Sequence, residues 1–129
     1  MSSDFVVDVT KGDGYAVSSL DRLGEGWGFR KIRTPLGLTA FGANAVVMPP
    51  GYSAGRHAHE RQEELYFVHA GTLEIAFGDG TAHRLEAGGL AWVDASTVRG
   101  LTNVGETDVV YLCVGGKDGY VERDGVKVD

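Results

Sequence analysis

The dominant hydrophobic period in this chain is two. Apolar and polar residues alternate through residues 45–49, 64–70, 72–77, 90–95 and 108–115, and these runs are rich in β-branched and aromatic side chains. Successive side chains of a strand point to opposite faces, so each run reads as a strand with one buried side. Glycine, aspartate and asparagine punctuate the runs as "AGT", "GDGT", "EAGG" and "NVGETD". Twenty glycines against three prolines suit tight turns between short strands. The one helical signal is a single turn in "SSLDRLG", with Ser18 or Ser19 as cap and Gly24 as stop. The C-terminal "YVERDGVKVD" has a central Asp-Gly step between alternating residues and predicts a hairpin. Many short strands with scarcely any helix predict an all-β sandwich or barrel, and a jelly roll is one solution to its edge strands. The expected organisation is one domain over residues 1–129. Residues 1–35 supply N-terminal strands and a turn, residues 38–115 the barrel, and residues 116–129 the hairpin.

Charge narrows the partners. The net charge is −6, which disfavours a phosphate-backbone partner. The basic run "RKIRT" (residues 30–34) reads as a solvated strand face. "GEGWG" (residues 24–28) resembles a phosphate loop in composition only, since no strand–loop–helix context surrounds it. Cys113 is the single cysteine, so no internal disulfide forms, as suits a reducing compartment. The N-terminus has no basic and apolar signal-peptide pattern, and no apolar run approaches the roughly 20 residues of a membrane span. The expected location is the cytoplasm, with neither membrane nor nucleic acid as partner.

The chemistry concentrates in "GYSAGRHAHERQEELYFVHAG" (residues 51–71). His57 and His59 are two apart and so share a strand face. Glu63 or Glu64 opens the next strand after a short polar turn. Two neutral imidazoles and a carboxylate on adjacent strands suit a divalent transition metal with open positions. Glu64 shares a face with Tyr66 and Val68, while Glu63 shares one with Leu65, Phe67 and His69; alternation does not choose between them.

This stretch resembles the first motif of the cupin superfamily: glycine, five residues, His-x-His, three or four residues, glutamate, six residues, glycine. Gly51, His57, His59, Glu64 and Gly71 stand at that spacing, and the register selects Glu64. The second cupin motif is matched in part by "GGLAWVDASTVRGLTN". Gly88 and Asn103 are in place, Asp94 stands for the proline and Ser96 for the glycine. Arg99 occupies the position of the family's fourth metal ligand, a histidine. The resemblance covers about residues 38–115. It implies a double-stranded β-helix barrel, a His57/His59/Glu64 site for iron, manganese, nickel or zinc, and a small-molecule ligand.

Arginine has only donors and cannot ligate a metal. Two arrangements follow. Either Arg99 swings aside and the three ligands hold the metal, or Arg99 forms a bidentate pair with Glu64 and clamps an anionic metabolite. Asn103, four residues on, shares that strand face and reaches the cavity or closes the turn before "GETD". Tyr66, Trp92 and Tyr111 are candidates for a pocket wall or for ordinary core. Met48, on a face with Val46 and Asn44, reads as core. Cys113 reads as an inert buried thiol. His69 and His83 read as positions away from the site. The resemblance thus allows a metal-dependent dioxygenase, isomerase or decarboxylase, with Tyr66, Arg99 or Asn103 orienting substrate. A non-catalytic binder of an anionic metabolite is the alternative, and a structural or storage role is the third. Similarity to single-domain cupins also implies a homodimer, with residues 4–10 lending a strand to the partner.

Overall fold

The computed structural model describes residues 4–129. In chain order it comprises β1 (Thr10–Gly12), β2 (Tyr15–Val17), α1 (Leu20–Leu23), β3 (Gly28–Lys31), α2 (Arg33–Leu36), β4 (Gly42–Met48), β5 (Ser53–His59), β6 (Glu63–Ala70), β7 (Leu73–Phe77), β8 (Ala82–Leu85), β9 (Leu90–Val93), β10 (Arg99–Asn103), β11 (Val109–Gly116) and β12 (Gly125–Lys127). Every run of period two becomes a strand. Two five-stranded antiparallel sheets result, ordered β12-β5-β10-β7-β8 and β3-β4-β11-β6-β9, beside the small β1–β2 ribbon. This is a jelly-roll sandwich closed around one apolar core. Val46, Met48, Tyr66, Val68, Leu73, Ile75, Val93, Leu101, Val109 and Tyr111 fill it from both sheets. Met48 is 2% exposed and is core, as its strand face implied.

Gly71 shows why the chain needs glycine between β6 and β7. Its φ is +81°, and a Cβ there would stand 2.6 Å from the Asp108 carbonyl oxygen. Only glycine accepts both the left-handed backbone and the approach of β11.

The short helix forms where expected, between Ser19 and Gly24, although Ser19 makes no side-chain capping bond. A second helix, α2, was not legible. Pro35 sits within its single turn, where a missing amide proton costs nothing, and Gly37 ends it at φ 81°. The basic run 30–34 is not a uniformly solvated face. Arg30 is buried and donates to the carbonyls of Leu20 and Gly26, at 3.2 and 2.8 Å, pinning the loop that carries α1.

The expectation at the C-terminal end is corrected. The Asp124-Gly125 step makes no hairpin. The Asp124 carboxylate instead accepts from the Arg61 and Gln62 backbone amides, at 2.7 and 3.1 Å. Gly125–Lys127 then pairs with β5. Long-range hydrogen bonds outweigh the local turn preference. At the other end, residues 4–9 form no strand within the chain. Asp8 is tied by its amide to the Arg22 carbonyl and by its carboxylate to Arg22 Nε, both at 3.0 Å. No helix among the described residues is long and apolar enough to cross a membrane.

Candidate metal centre

The two histidines reach the interior through a break in strand register. Arg99 of β10 pairs with His57 of β5, but Leu101 pairs with Ala54, so three steps on β5 oppose two on β10. The extra residue is a β-bulge, and it changes which face each side chain takes. Ala54 and His57, three apart, therefore both line the cavity between the sheets, joined by His59. Across the cavity β6 presents Glu64, Tyr66 and Val68 inward, while Glu63 and Leu65 face solvent. Glu64 is thus the inward glutamate.

The ligand atoms of His57, His59 and Glu64 all lie within 4.8 Å of one another. The two imidazole rings meet edge-on, with centroids 5.1 Å apart. His57 Nε2 is 3.9 Å and His59 Nε2 3.1 Å from Glu64 Oε1. The latter contact lacks hydrogen-bond geometry, so His59 Nε2 is a buried nitrogen without a hydrogen-bond partner. An orphaned buried acceptor is costly unless something binds it. The donor set, two imidazole nitrogens and one carboxylate, fits a divalent transition metal with coordination positions left open.

The supporting shell is dense. Tyr66 Oη donates to Glu64 Oε1 at 2.6 Å and Cys113 Sγ to Oε2 at 3.1 Å. Burial alone would raise the Glu64 pKa. Contacts from His57, His59, Tyr66 and Cys113 overcome it and hold the carboxyl well below its usual range. Burial, reinforced by the Glu64 charge, pushes the Cys113 thiol up, so it stays protonated and donates. The Glu64 carboxylate raises the His59 pKa, with burial opposing it. On its far side His59 Nδ1 lies 2.7 Å from Asp124 Oδ1, and Gln62 Nε2 donates to the same oxygen at 2.6 Å. Donated hydrogen bonds hold Asp124 below the usual carboxylate range against its burial. An ionised carboxylate only accepts, so Nδ1 carries a proton to Asp124, which leaves Nε2 as the nitrogen that would face a metal.

Arg99 lies out of the cavity, as in the first expected arrangement, and does not form the bidentate pair of the second. It is fully buried behind Glu64 and does not line the cavity. Its Nη1 donates to the carbonyls of Thr97 and Ala95 at 2.7 and 3.3 Å, and Nη2 donates to that of Asp94 at 3.3 Å. One nitrogen, Nη2, lies 3.4 Å from Glu64 Oε1, a single contact rather than a bidentate pair. The turn over residues 94–97 takes both Nη groups, while Arg99 Nε is buried without a hydrogen-bond partner, so Arg99 stands as a buried counter-charge beside Glu64.

The remaining candidates divide. Tyr66 and Tyr111 are buried and line the cavity. Trp92 does not: it is 64% exposed on the outer face of β9, donating to Glu63 at 2.6 Å. Cross-strand pairing of β9 with β6 puts Trp92 beside Leu65, the solvent side of the sheet. Asn103 is buried at the far end of β10. Its amide donates to the carbonyls of Met48 and Thr107, both at 2.9 Å, and accepts from the Gly105 amide at 2.9 Å. It closes the turn and does not reach the cavity. His69 and His83 are exposed and apart from the cluster.

Sequence reasoning missed Asp124, Gln62 and the role of Cys113. No local pattern points to Asp124, which lies 65 residues from His59. Replacing Asn103 by alanine is expected to cost about 3 kcal/mol in urea unfolding, because buried backbone groups lose their partner. Trp92→Ala is expected to cost under ~1 kcal/mol. Equal costs would contradict these placements.

Comparison with known proteins agrees with this architecture. Residues 44–115, more than half the chain, match the cupin domain family. The oxalate-binding protein of Thermotoga maritima is 35% identical over 70 residues, 54% of this chain and 56% of that protein. The chain therefore spans about half the length of that curated relative. A cupin protein from Bacteroides fragilis superposes with a TM-score of 0.71 at 22% identity, covering 87% of this chain and 92% of that one. A predicted oxalate decarboxylase from Thermotoga maritima gives 0.59 at 25% identity, covering 67% and 76%. Sandwich, motif spacing and family match converge, and the chain belongs to the cupin family.

Proposed function

We propose that this chain binds a small carboxylate-bearing molecule at a divalent transition metal held by His57, His59 and Glu64. The observation that carries the reading is the convergence of three ligand atoms within 4.8 Å on a cavity of about 410 Å³. The buried, unpartnered His59 Nε2 supports it. The oxalate-binding relative and the predicted oxalate decarboxylase support a carboxylate as the ligand class. So does the rim. Arg123 lines the cavity, and Lys31 and Arg33 line an adjoining hollow that shares Phe29, Asn44, Tyr120 and Arg123 with it. A cationic mouth on a chain of net charge −6 draws anions inward.

When bound, the metal would supply a Lewis acid for a chelated carboxylate. The chain's own residues do the rest. Asp124 fixes the tautomer and tilt of His59, Tyr66 and Cys113 hold the Glu64 carboxylate, and Arg99 lies 3.4 Å from it as a counter-charge. Metal content of tag-free protein purified without chelator tests this. Near one equivalent of iron, manganese, nickel or zinc supports the proposal. Protein that stays metal-free after metal is added back contradicts it. One observation favours a metal-free anion binder instead: both Glu64 oxygens already accept hydrogen bonds. In that reading the anion meets Lys31, Arg33 and Arg123, not Arg99.

A homodimer belongs to the same proposal. Val6 is 80% and Val7 47% exposed on a segment with no strand partner among the described residues. Deleting residues 1–10 is expected to give a monomer or insoluble protein by light scattering. A soluble dimer after deletion contradicts it.

A further inference from the structure

The hollow of the sandwich does not end at the histidines. A second compartment of about 340 Å³ adjoins the cavity, and Phe29, Val46, Ala54 and Tyr111 line both. Trp27, Met48, Pro49 and Tyr52 complete its wall, and no charged side chain faces it among the described residues. The Trp27 indole N–H is turned to Asp108 at 3.2 Å. Strand pairing explains the hollow. Phe29 lies opposite Val46, and Val46 opposite Tyr111, so all three point to the inner face of one sheet. Inner-face residues of a sandwich are ordinarily covered by the opposing sheet. Phe29 is nonetheless 69% exposed, Trp27 67% and Tyr52 54%. Three aromatic rings thus flank an uncovered apolar recess that is continuous with the metal-ligating cavity.

Oxalate would make poor use of this recess. It is all carboxylate, and filling the compartment with water leaves its apolar wall hydrated. We propose that the ligand carries an aryl or branched-alkyl group on a metal-chelating head, such as a 2-oxo or 2-hydroxy carboxylate. The head sits at His57, His59 and Glu64. The tail passes Ala54 and Tyr111 and lodges among Trp27, Met48 and Tyr52. This rests on the metal-site reading above.

The test uses cobalt(II)-loaded protein, whose visible spectrum reports coordination, titrated with pyruvate, oxalate and phenylpyruvate. Pyruvate and phenylpyruvate share a head and differ in the ring. Phenylpyruvate is expected to bind at least about tenfold tighter than pyruvate. In the double variant Trp27→Ala/Tyr52→Ala that ratio is expected to fall to about one. Both side chains are largely exposed, so the variant should fold. If the protein takes up no cobalt, the metal-site reading fails and the inference with it. If cobalt loads and pyruvate binds but phenylpyruvate has no advantage, the metal reading stands and the tail pocket is overturned. It is also overturned if the double variant keeps the tenfold ratio. A wild-type dimer that the double variant turns into a monomer, with no loss of the ratio, would make this face a contact with a second copy.

Discussion

Arg99→Met is expected to lower the unfolding free energy by about 3 kcal/mol while strengthening metal binding. The first effect follows from burial. Methionine fills much of the volume, but Glu64 loses its buried counter-charge, and the Asp94, Ala95 and Thr97 carbonyls lose their donor. Breaking a buried charge pair costs about 3–5 kcal/mol, and orphaned carbonyls cost more where water cannot reach them. The second effect follows from Coulomb's law. With neutral imidazoles, Glu64 and Arg99 sum to zero charge, whereas the variant site carries one negative charge. A divalent ion about 5 Å from the guanidinium is repelled by about 7 kcal/mol at an effective dielectric of about 20, so its removal favours uptake. Urea unfolding reads the first effect, and metal titration of the folded variant reads the second. Because bound metal stabilises the folded state, adding it should recover part of the lost stability. Wild-type stability combined with lost anion binding would instead make Arg99 a ligand clamp.

His57→Ala should do the reverse: leave the metal-free fold within about 0.5 kcal/mol of wild type and abolish metal uptake. His57 is half-buried, and its contact to Glu64 is long, at 3.9 Å. Little packing is lost. Removing one of three ligands should weaken affinity more than the 10–100-fold typical of losing an outer partner, so by over about 100-fold. Calorimetric titration of metal into apo-protein checks this. His59→Ala is a less clean probe, because His59 is also tied to Asp124. An unchanged affinity in His57→Ala would remove that residue from the centre.

Much of this was written in local pattern. Period two located β4, β6, β7, β9 and β11, because side-chain alternation follows directly from strand geometry. The motif spacing selected Glu64, and its burial on β6 agrees. What failed depends on contacts that no local pattern encodes. Trp92 alternates like a core residue, yet its strand lies at the sheet edge with that face in solvent. Asp124-Gly125 has the composition of a hairpin turn, but Gln62 and the Arg61 amide, over 60 residues away, claim the carboxylate. The bulge between β5 and β10 shifts side-chain parity, so counting by twos from His57 places Ala54 on the wrong face. Arg99 lies 3.4 Å from Glu64 without the bidentate geometry. Its sequestration by the turn over residues 94–97 required the backbone's path.

The most direct test of the metal centre is anomalous diffraction from crystals of the tag-free protein soaked in manganese or cobalt. One peak is expected about 2.0–2.2 Å from His57 Nε2, His59 Nε2 and a Glu64 carboxylate oxygen, with Arg99 still held by the carbonyls behind it. A peak elsewhere, or none while Arg99 remains against Glu64, would contradict it.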